Sequence, residues 1–397
     1  MIVSDSMNRL VDDQEGWTRK MFEAAIQMRK DYGPENIYDF SLGNPDIEPP
    51  PALKQKLIDA ISDPALGMHR YMQNNGYEEV REQVAAYLTE RTGGLPFTSR
   101  HVFMSVGCAG ALNILFKTML NPGDEVILPN PFFWEFKNYV ENFGGVPMFV
   151  ETRDDFQLDI DAIERAITAK TKVVLLNSPN NPTGAVYTKE SLEQAAALLH
   201  NERKKGREIY LVADEAYRKI IYTEEPLPDL FKIYDLVISA TSHSKDLALP
   251  GERIGYLAIS PHIPEADLLV SGLMIAIRAL GFVNAPALFQ RAVAEFQRNS
   301  VSIASYQEKR DLLYGTLIEA GFECVKPMGA FYMFPKSPLQ DEVEFVFRMQ
   351  QEERILVVPG RGFGRKGYFR IAYCVPMETI RKALPGFLRA GKRYIGR

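Results

Sequence analysis

A single lysine, Lys245, lies among small hydroxyl residues in the stretch SHSKDLALPGERIGY, residues 242–256, just after an apolar run. Most lysines in such a setting are solvated loop residues. An amine with an ordinary pKa of about 10.4 becomes nucleophilic near neutral pH only where desolvation or a neighbouring cation lowers that pKa. Arg253 follows eight positions later, and its planar guanidinium suits a bidentate grip on phosphate, with Ser242 and Ser244 as further donors. The stretch therefore indicates a reactive amine beside an anion site.

Two further apolar runs lead into polar side chains of the kind that hold a ligand. Asp214 ends the run IYLVAD, where an ionised carboxylate is costly without a cationic or hydrogen-bonding partner. Capping of a following helix explains Asp214 equally well. Tyr217 follows three positions later, so in a helical turn both side chains address one ligand. The run KVVLLN leads into SPNNPTGAVY, an irregular turn in which Asn181 offers an amide.

The segment SVGCAGALN combines a glycine turn with the start of a predicted helix. Gly107 permits the turn, and the backbone N–H groups of Cys108, Ala109 and Gly110 then lack partners within the helix, which favours a bound phosphate. A plain turn is the commoner explanation, and the spacing matches neither the dinucleotide fingerprint nor the P-loop.

The segment NPFFWEF places four aromatic residues within five positions. Packing of a helix into the core explains most of these rings. One ring that faces a cleft would stack on a flat heterocycle.

From about residue 100 onward, short β-branched runs alternate with helical patterns, which is typical of βαβ units. The predicted strands are HVFMSV, DEVILP, KVVLLN, IYLVADE, LVISAT and IGYLAIS. Since these runs are almost continuously apolar, we predict an α/β fold with a mainly parallel sheet and helices on both faces. In such sheets ligands gather beyond the carboxyl ends of the strands, where the polar residues above are expected to meet.

Helical patterns from about Pro264 to Ala320 lead away from this sheet. The carboxyl-terminal part then shows FECVKP, AFYMFPK and YFRIAYC as predicted strands, with EFVFRMQQEE and ETIRKALPGFLRA as predicted helices. This pattern indicates a second, smaller α+β domain.

The composition favours a folded protein that acts on small molecules. The 397 residues are 46% hydrophobic, which predicts about two domains, and the net charge of -5 includes no basic block for nucleic acid or a membrane surface. The charged amino-terminal stretch lacks the apolar core of a signal peptide, and no apolar run reaches the roughly 18 residues of a membrane span, so a cytoplasmic location is expected. Three scattered cysteines and five histidines predict neither a disulfide framework nor a metal site.

The predicted strand ends together supply a phosphate cradle, a ring platform, an amide, a carboxylate, a phenol, a lysine and an arginine. Pyridoxal 5'-phosphate uses all of these groups. Its aldehyde takes a lysine amine, its ring nitrogen an anion, its phenolic oxygen hydrogen-bond donors and its phosphate an anion site. This cofactor is therefore predicted.

The chain resembles the class I/II pyridoxal-phosphate-dependent aminotransferases, which are the fold-type I enzymes of the aspartate aminotransferase group. The motifs that carry the resemblance extend over nearly the full length: SLGNPD, SVGCAGAL, NSPNNPTG, DEAY, SHSK with arginine eight residues beyond, and FRIAY. The resemblance implies a large cofactor-binding domain of residues 56–290 with a seven-stranded sheet. It also implies a small domain made of residues 1–55, with an amino-terminal arm, and residues 291–397.

Roles for individual residues follow from the resemblance, position by position. Lys245 is expected to form the Schiff base with the cofactor and Asp214 to pair with its ring nitrogen, while Tyr217 and Asn181 hold its phenolic oxygen. Phe133 is expected to stack on the ring. The implied phosphate contacts are the backbone of Cys108 and Ala109, with Ser242 and Arg253.

The resemblance also implies how substrate and a second subunit are bound. Arg370 is expected to bind the substrate α-carboxylate, with Gly43 and Asn181 nearby. Tyr71, in MHRYMQNNGY, matches the tyrosine that reaches the neighbouring subunit's phosphate, so a homodimer with shared active sites is expected. Arg361 stands where the family tends to have a smaller side chain, and it either alters the substrate mouth or faces solvent.

The implied reaction exchanges an amino group between an L-amino acid and a 2-oxo acid, with Lys245 as general acid and base. A carbon–sulfur β-lyase or a cyclopropane-forming synthase of the same fold would keep nearly every residue named, because the cofactor chemistry is shared. A non-enzymatic effector-binding domain would need a fused DNA-binding module. The amino donor and the oxo-acid acceptor stay open, because no second arginine is assigned to a distal carboxylate.

Overall fold

The computed structural model describes residues 2–12, 16–64, 67 and 69–396 of the chain. Its strands are β1 Tyr38–Asp39, β2 Val102–Ser105, β3 Glu125–Asn130, β4 Val146–Glu151, β5 Thr171–Asn177, β6 Tyr210–Asp214, β7 Val237–Ser242, β8 Gly255–Ile259, β9 Tyr332–Met333, β10 Ile355–Leu356, β11 Val358–Pro359 and β12 Phe369–Ala372. Its α-helices are α1 Asp5–Asp12, α2 Trp17–Tyr32, α3 Pro51–Ser62, α4 Glu78–Arg91, α5 Gly107–Met119, α6 Glu135–Glu141, α7 Ile160–Ala166, α8 Lys189–Lys204, α9 His243–Asp246, α10 Ala266–Leu280, α11 Ala287–Val293, α12 Ile303–Glu319, α13 Glu342–Glu353 and α14 Met377–Tyr394.

Seven strands form the central sheet in the order β2-β8-β7-β6-β5-β3-β4. Strands β3 to β7 pair in parallel, and β8 runs antiparallel to both of its neighbours, β2 and β7. The prediction of a mainly parallel sheet is confirmed. The register sets Asn177 beside Asp214 and Asp214 beside Ala240, so the carboxyl ends of β5, β6 and β7 lie at one edge.

Most strands of this sheet are buried along nearly their whole length, as their apolar runs predict. Every residue of β2 and β8 is buried, as are all but the first residue of β3 and β6. Burying one Val, Leu or Ile side chain contributes roughly 1.5–3 kcal/mol, so helix packing against both faces is the main source of stability here.

Strand β4, with the sequence VPMFVE, is missing from the predicted set. It lies at the edge of the sheet, and only Val150 on it is buried. Since proline is confined largely to edge strands, Pro147 argued against a strand here, although Val146 and the residues after Pro147 are apolar.

A second hydrophobic core lies among residues near the two chain ends. It contains Trp17, Met21 and Phe40, most of the buried residues between Val301 and Ala390, and a few residues from the middle of the chain. The first core takes its members from Leu53 to Phe296. The predicted division into domains, with its boundaries, stays a prediction.

Two small sheets accompany the second core, a parallel pair β1-β10 and a three-stranded antiparallel sheet β11-β12-β9. The prediction that FECVKP is a strand was wrong, because residues 322–327 have no regular secondary structure. Only Phe322 and Pro327 of this segment are buried, so it lacks an alternating buried face.

Within the described residues, no helix has both the length and the apolar character that crossing a membrane requires. The cysteines Cys108, Cys324 and Cys374 are not joined in disulfide bonds.

A buried ionic cluster lies behind the carboxyl ends of β6 and β7. Arg91 contacts Asp229 at 2.7 Å and Glu215 at 3.4 Å, and Arg218 also pairs with Glu215. Burial alone would raise the pKa of Glu215, but the guanidinium groups of Arg218 and Arg91 outweigh burial and lower that pKa to about 2. Glu215 is therefore a buried anion whose charge depends on these arginines.

We expect Arg91→Met to lower the free energy of unfolding by about 3–5 kcal/mol, because it leaves buried carboxylates short of a partner. Urea unfolding followed by circular dichroism measures the change. Lys189→Ala, which removes an exposed i,i+4 ion pair with Glu193, is the control and should shift the midpoint far less. Equal shifts in both variants would contradict a special cost for the buried cluster.

Candidate active site

One large cavity of about 550 Å³ opens at the carboxyl ends of the central strands and reaches the second core. Every site residue predicted from the sequence lines this cavity except Tyr71. The predicted residues that line it are Gly43, Cys108, Ala109, Phe133, Asn181, Asp214, Tyr217, Ser242, Lys245, Arg253 and Arg370.

One corner of the cavity is built as an anion site. Helix α5 begins at Gly107, whose φ is +72°, and among the described residues no side chain caps its first N–H groups. A Cβ on Gly107 would lie 2.8 Å from Nη2 of Arg253, so only glycine lets the guanidinium approach the helix start. Ser242 ends β7 beside these groups. Free helix N–H groups, a hydroxyl and a guanidinium form a donor set that fits a phosphate.

Lys245 lies on the short helix α9, which follows β7 directly. Its Nζ donates a hydrogen bond to the backbone oxygen of Gly43 at 2.6 Å and lies 5.5 Å from the centre of the Phe331 ring. Burial lowers the pKa of Lys245 to about 8, and the nearby Arg370 and Arg253 act in the same direction. An appreciable fraction of this amine is therefore neutral, and thus nucleophilic, slightly above neutral pH, and most of it is neutral above pH 8.

Asp214 ends β6, and the residues after it form a turn rather than the helix considered from the sequence. The backbone N–H of Ala216 donates to its Oδ1 at 3.1 Å. Burial raises the pKa of Asp214 to about 6, while hydrogen bonds from Ala216 and the Cys108 thiol act in the opposite direction. A buried carboxylate of this kind gains from a cationic ligand atom that pairs with it.

Arg370, on β12, is buried and held in a fixed orientation. Its guanidinium donates to Oδ1 of Asn181 at 3.1 Å and to the backbone oxygen of Ser41. Its Cζ lies 4.9 Å from the centre of the Tyr332 ring and 4.5 Å from that of Phe363. Among the described residues, Nε of Arg370 has no hydrogen-bond partner, so the protein leaves a donor of this buried cation unsatisfied, and the residue lines the cavity.

Asn181 and Asn177 connect Arg370 with Asp214. The backbone N–H of Asn181 donates to Oδ1 of Asn177 at 2.8 Å, and Nδ2 of Asn177 donates to the backbone oxygen of Asp214 at 3.2 Å. Because Oδ1 of Asn181 accepts from Arg370, the amide nitrogen of Asn181 is not used in that contact, and the residue lines the cavity. This side chain can therefore donate to a ligand oxygen.

Aromatic rings form the apolar part of the wall. Phe133 lines the cavity and packs edge-on against Phe136, with ring centres 5.5 Å apart. Trp134 also reaches the cavity, and so does Trp17 at the start of α2. A flat heterocycle is a suitable occupant for a cavity with such walls.

Several lining residues were not identified from the sequence. They include Trp17, Phe22, Leu42, Trp134, Tyr139, Asn177, Tyr332 and Phe363. Tyr332 lay in the predicted strand AFYMFPK, and Asn177 ended the predicted strand KVVLLN, a position that could have drawn notice. For the others, the sequence held no signal to distinguish a cavity wall from a core.

Two residues singled out in the sequence lie outside the cavity lining. Tyr71 is 97% exposed, and its predicted role in a neighbouring subunit stays a prediction. Arg361 neither lines the cavity nor points freely into solvent, because its guanidinium pairs with Asp341 at 2.6 Å and with the buried Glu342 at 2.8 Å.

The positively charged side chains that line the cavity favour ligands with anionic groups. Its described cations are Arg19, Lys245, Arg253 and Arg370, of which Arg19 is largely exposed and pairs with Glu23 at 2.8 Å. In the part of the chain that the structure describes, no three His, Cys, Asp or Glu side chains cluster as metal ligands.

The geometry fits pyridoxal 5'-phosphate. The uncapped start of α5 and the space that Gly107 leaves beside Arg253 suit its phosphate, and Asp214 suits a protonated ring nitrogen. Lys245 is a reactive amine for its aldehyde. The unpartnered Nε of Arg370 is left for the carboxylate of a second ligand.

Comparison with known proteins agrees with this assignment. A family model described as aminotransferase class I and II matches residues 35–387. An aminotransferase from Eubacterium rectale has a similar solved structure, with a TM-score of 0.94 and 37% identity over 99% of both chains. The chain is 34% identical to the aspartate/prephenate aminotransferase of Thermus thermophilus, over 89% of this chain and 91% of that one. It is 30% identical to an aromatic-amino-acid aminotransferase of Thermococcus litoralis, over 97% of each.

The chain belongs to the class I and II aminotransferases. These are pyridoxal-phosphate enzymes. The predicted fold class, the predicted cofactor and the prediction that the protein is an aminotransferase are therefore confirmed.

In the cofactor-free protein, we expect the rate of acetylation of Lys245 by acetic anhydride to rise along a curve centred near pH 8, because burial lowers the pKa of this amine and only the neutral form attacks. Peptide mass spectrometry after brief exposure measures the rate. The exposed Lys189 provides the reference for the reagent's own pH dependence. A curve for Lys245 centred near pH 10 would contradict the lowered pKa.

Proposed function

We propose that this aminotransferase carries its cofactor on Lys245 and binds the amino acid through Arg370. The observation that carries the proposal is the position of the buried amine. It lies in one cavity with a phosphate-type corner, a carboxylate of raised pKa and an arginine with an unpartnered donor. The enzyme moves an amino group between an amino acid and a 2-oxo acid.

Bound pyridoxal 5'-phosphate supplies an aldehyde for amines and a ring that accepts electrons. Asp214 holds a negative charge beside the position suited to the ring nitrogen, and a pKa of about 6 leaves it ionised at neutral pH. When an incoming amino acid takes its place, the Nζ of Lys245 would be a free base that takes the proton from the substrate Cα and, as a general acid, delivers it to the cofactor carbon that carried the aldehyde. The backbone oxygen of Gly43 orients this amine, because it accepts a hydrogen bond from Nζ.

The substrate carboxylate is bound by Arg370. The contacts with Asn181 and Ser41, together with the rings of Tyr332 and Phe363, hold the guanidinium before a substrate arrives. Preorganisation of this kind lowers the entropic cost of binding and fixes the orientation of the Cα–H bond.

We also propose a homodimer in which Tyr71 contacts the cofactor phosphate of the partner subunit. The support is the family resemblance and the position of Tyr71, which is exposed in one chain although it is a large aromatic residue. A cytoplasmic location and the domain boundaries at residues 56 and 290 are part of the same proposal.

Amino transfer is preferred to carbon–sulfur β-elimination. A β-lyase would use the same cofactor residues, so the cavity alone does not separate the two reactions. The relatives named as aminotransferases favour transfer. Oxo-acid-dependent amino transfer, measured against release of ammonia and pyruvate, distinguishes them directly.

We expect borohydride treatment of the holoenzyme to attach the cofactor irreversibly to Lys245, and Lys245→Ala to lose both this label and turnover. The physical reason is that, among the lysines the structure describes, only Lys245 combines burial, a lowered pKa and contact with the cavity. Peptide mapping by mass spectrometry locates the label.

Lys219→Ala is the matched control, since Lys219 is a nearby lysine that pairs with Asp246 and does not line this cavity. That variant should keep the label. A label on another side chain, or an active Lys245→Ala enzyme, would refute the assignment.

We expect Arg370→Met to lower kcat/KM for amino acids by roughly 30- to 150-fold, since charge-assisted hydrogen bonds to a carboxylate contribute about 2–3 kcal/mol. The rate with the corresponding amine, which lacks only the carboxylate, should change little. Single-turnover absorbance changes of the bound cofactor measure both rates. An equal loss for the amino acid and the amine would show that Arg370 acts through the fold rather than through the carboxylate.

A further inference from the structure

Tyr332 contacts both Arg370 and Tyr217 in the cavity, and no motif in the sequence indicated this role. It lies on β9, whose residues 332 and 333 pair with residues 372 and 371 of β12, the strand that carries Arg370. Its side chain is buried, lines the cavity, and is 4.9 Å from the Arg370 guanidinium, measured from the ring centre to Cζ. A Cβ on Gly43 would collide with its hydroxyl, so the chain keeps glycine there.

The hydroxyl groups of Tyr332 and Tyr217 are 2.8 Å apart and hydrogen-bonded. Among the described residues, neither hydroxyl has another hydrogen-bond partner. Each phenol has one proton to donate, so the direction of this bond decides what Tyr217 offers to a ligand. If Tyr217 donates to Tyr332, it presents only lone pairs to the cavity. If Tyr332 donates, the proton of Tyr217 is free for a ligand oxygen.

We propose that Tyr332 is a positioning residue that donates its hydroxyl proton to Tyr217, which in turn directs the Tyr217 proton to the phenolic oxygen of the cofactor. The inference rests on the proposed function, because it takes Tyr217 as the donor to that oxygen. It adds a residue that nothing in the family motifs of this sequence singled out.

Acidity favours this direction of the bond. Burial raises the pKa of Tyr332 to about 12, with the Arg370 cation limiting the rise. The Arg370 guanidinium lies 4.9 Å from the centre of the Tyr332 ring, and a cation beside a phenol makes that phenol more acidic and a better donor. A ligand oxygen that accepts the Tyr217 proton leaves only lone pairs on Tyr217 for the shared bond, so Tyr332 then donates. Hydrogen bonds in a chain also strengthen one another, so donation by Tyr332 makes Tyr217 a stronger donor.

The test uses the variant Tyr332→Phe, which keeps the ring and removes only the hydroxyl. The absorbance of the bound cofactor changes with pH, and the pKa of this change is measured in the variant and in the unaltered enzyme. A hydrogen bond to the phenolic oxygen favours the form in which that oxygen carries more negative charge. Weaker donation by Tyr217 should therefore raise this pKa, by about 0.2 to 0.6 of a unit, and increase the dissociation constant of the cofactor.

Tyr306→Phe is the matched control. Tyr306 is a buried phenol that packs against Phe331, as Tyr217 does, but among the described residues its hydroxyl has no hydrogen-bond partner. This variant should leave the absorbance pKa unchanged. A shift equal to that of Tyr332→Phe would assign the effect to loss of any buried hydroxyl and overturn the proposal.

A double-mutant cycle with Tyr217→Phe tests whether Tyr332 acts on the cofactor through Tyr217. Tyr217→Phe alone should give the larger shift, and adding Tyr332→Phe should then give no further change. An unchanged absorbance pKa in folded Tyr332→Phe, or the same shift in the Tyr217→Phe background, would overturn the proposal. The second result would show that Tyr332 acts through Arg370 or through packing.

A second substitution keeps the test decisive if Tyr332→Phe does not fold. Replacing Tyr332 by 3-fluorotyrosine keeps the hydroxyl and makes it more acidic, so the absorbance pKa should move downward, opposite to the phenylalanine variant. No movement, or movement upward, would contradict donation by Tyr332.

Borohydride labelling of the unaltered enzyme distinguishes failure of the proposed function from failure of this inference. A label away from Lys245 refutes the proposed function, whereas a label on Lys245 with no tyrosine effect refutes only the role of Tyr332.

Discussion

The burial of the Lys245 amine is the constraint on which the rest of the site depends. A lysine on a solvated loop is almost entirely protonated at neutral pH and does not attack a carbonyl carbon. Here burial, with Arg370 and Arg253 nearby, lowers its pKa to about 8. The hydrogen bond to Gly43 joins residues 202 positions apart in the chain, so the amine is oriented only when both cores are assembled.

In two places, adjacent residues lie in surroundings that favour opposite states of charge, the neutral form for one residue and the ionised form for the next. Asp214 faces the cavity, and burial raises its pKa to about 6, whereas the adjacent Glu215 faces the arginine cluster, which lowers its pKa to about 2 despite burial. Lys245 is likewise followed by Asp246. Burial raises the pKa of Asp246, but Lys219 and His243 outweigh burial and lower that pKa to about 2. The ion pairs of Glu215 and Asp246 lie behind the cavity and hold these two residues in place. Their chain neighbours Asp214 and Lys245, which face the cavity, are thereby held in place as well.

A chain of hydrogen bonds connects the sites for the two ligands. It runs from Arg370 through Asn181 and Asn177 to the backbone of Asp214. The carboxylate site and the ring-nitrogen site are therefore held at a fixed separation by the protein itself. Such a network lowers the entropic cost of aligning the substrate Cα with the amine that takes its proton.

The sequence by itself determined the α/β class, six of the seven central strands and most of the cofactor chemistry. These features depend on local patterns: continuous apolar runs mark buried strands, and the polar residues that follow them must gather at one sheet edge. The edge strand β4 was missed because Pro147 argues against a strand, and FECVKP was misassigned because an apolar composition does not specify a pairing partner.

Only the tertiary structure decided which aromatic residues form the cavity wall and which form the core. Trp17, Tyr332 and Phe363 have the same local pattern as their buried neighbours, and they reach the cavity because segments from both chain ends pack against the central sheet. The direction of a side chain in such packing depends on contacts across hundreds of positions, which no local pattern contains. For the same reason, the contacts of Arg361 with Asp341 and Glu342 became visible only in the folded chain.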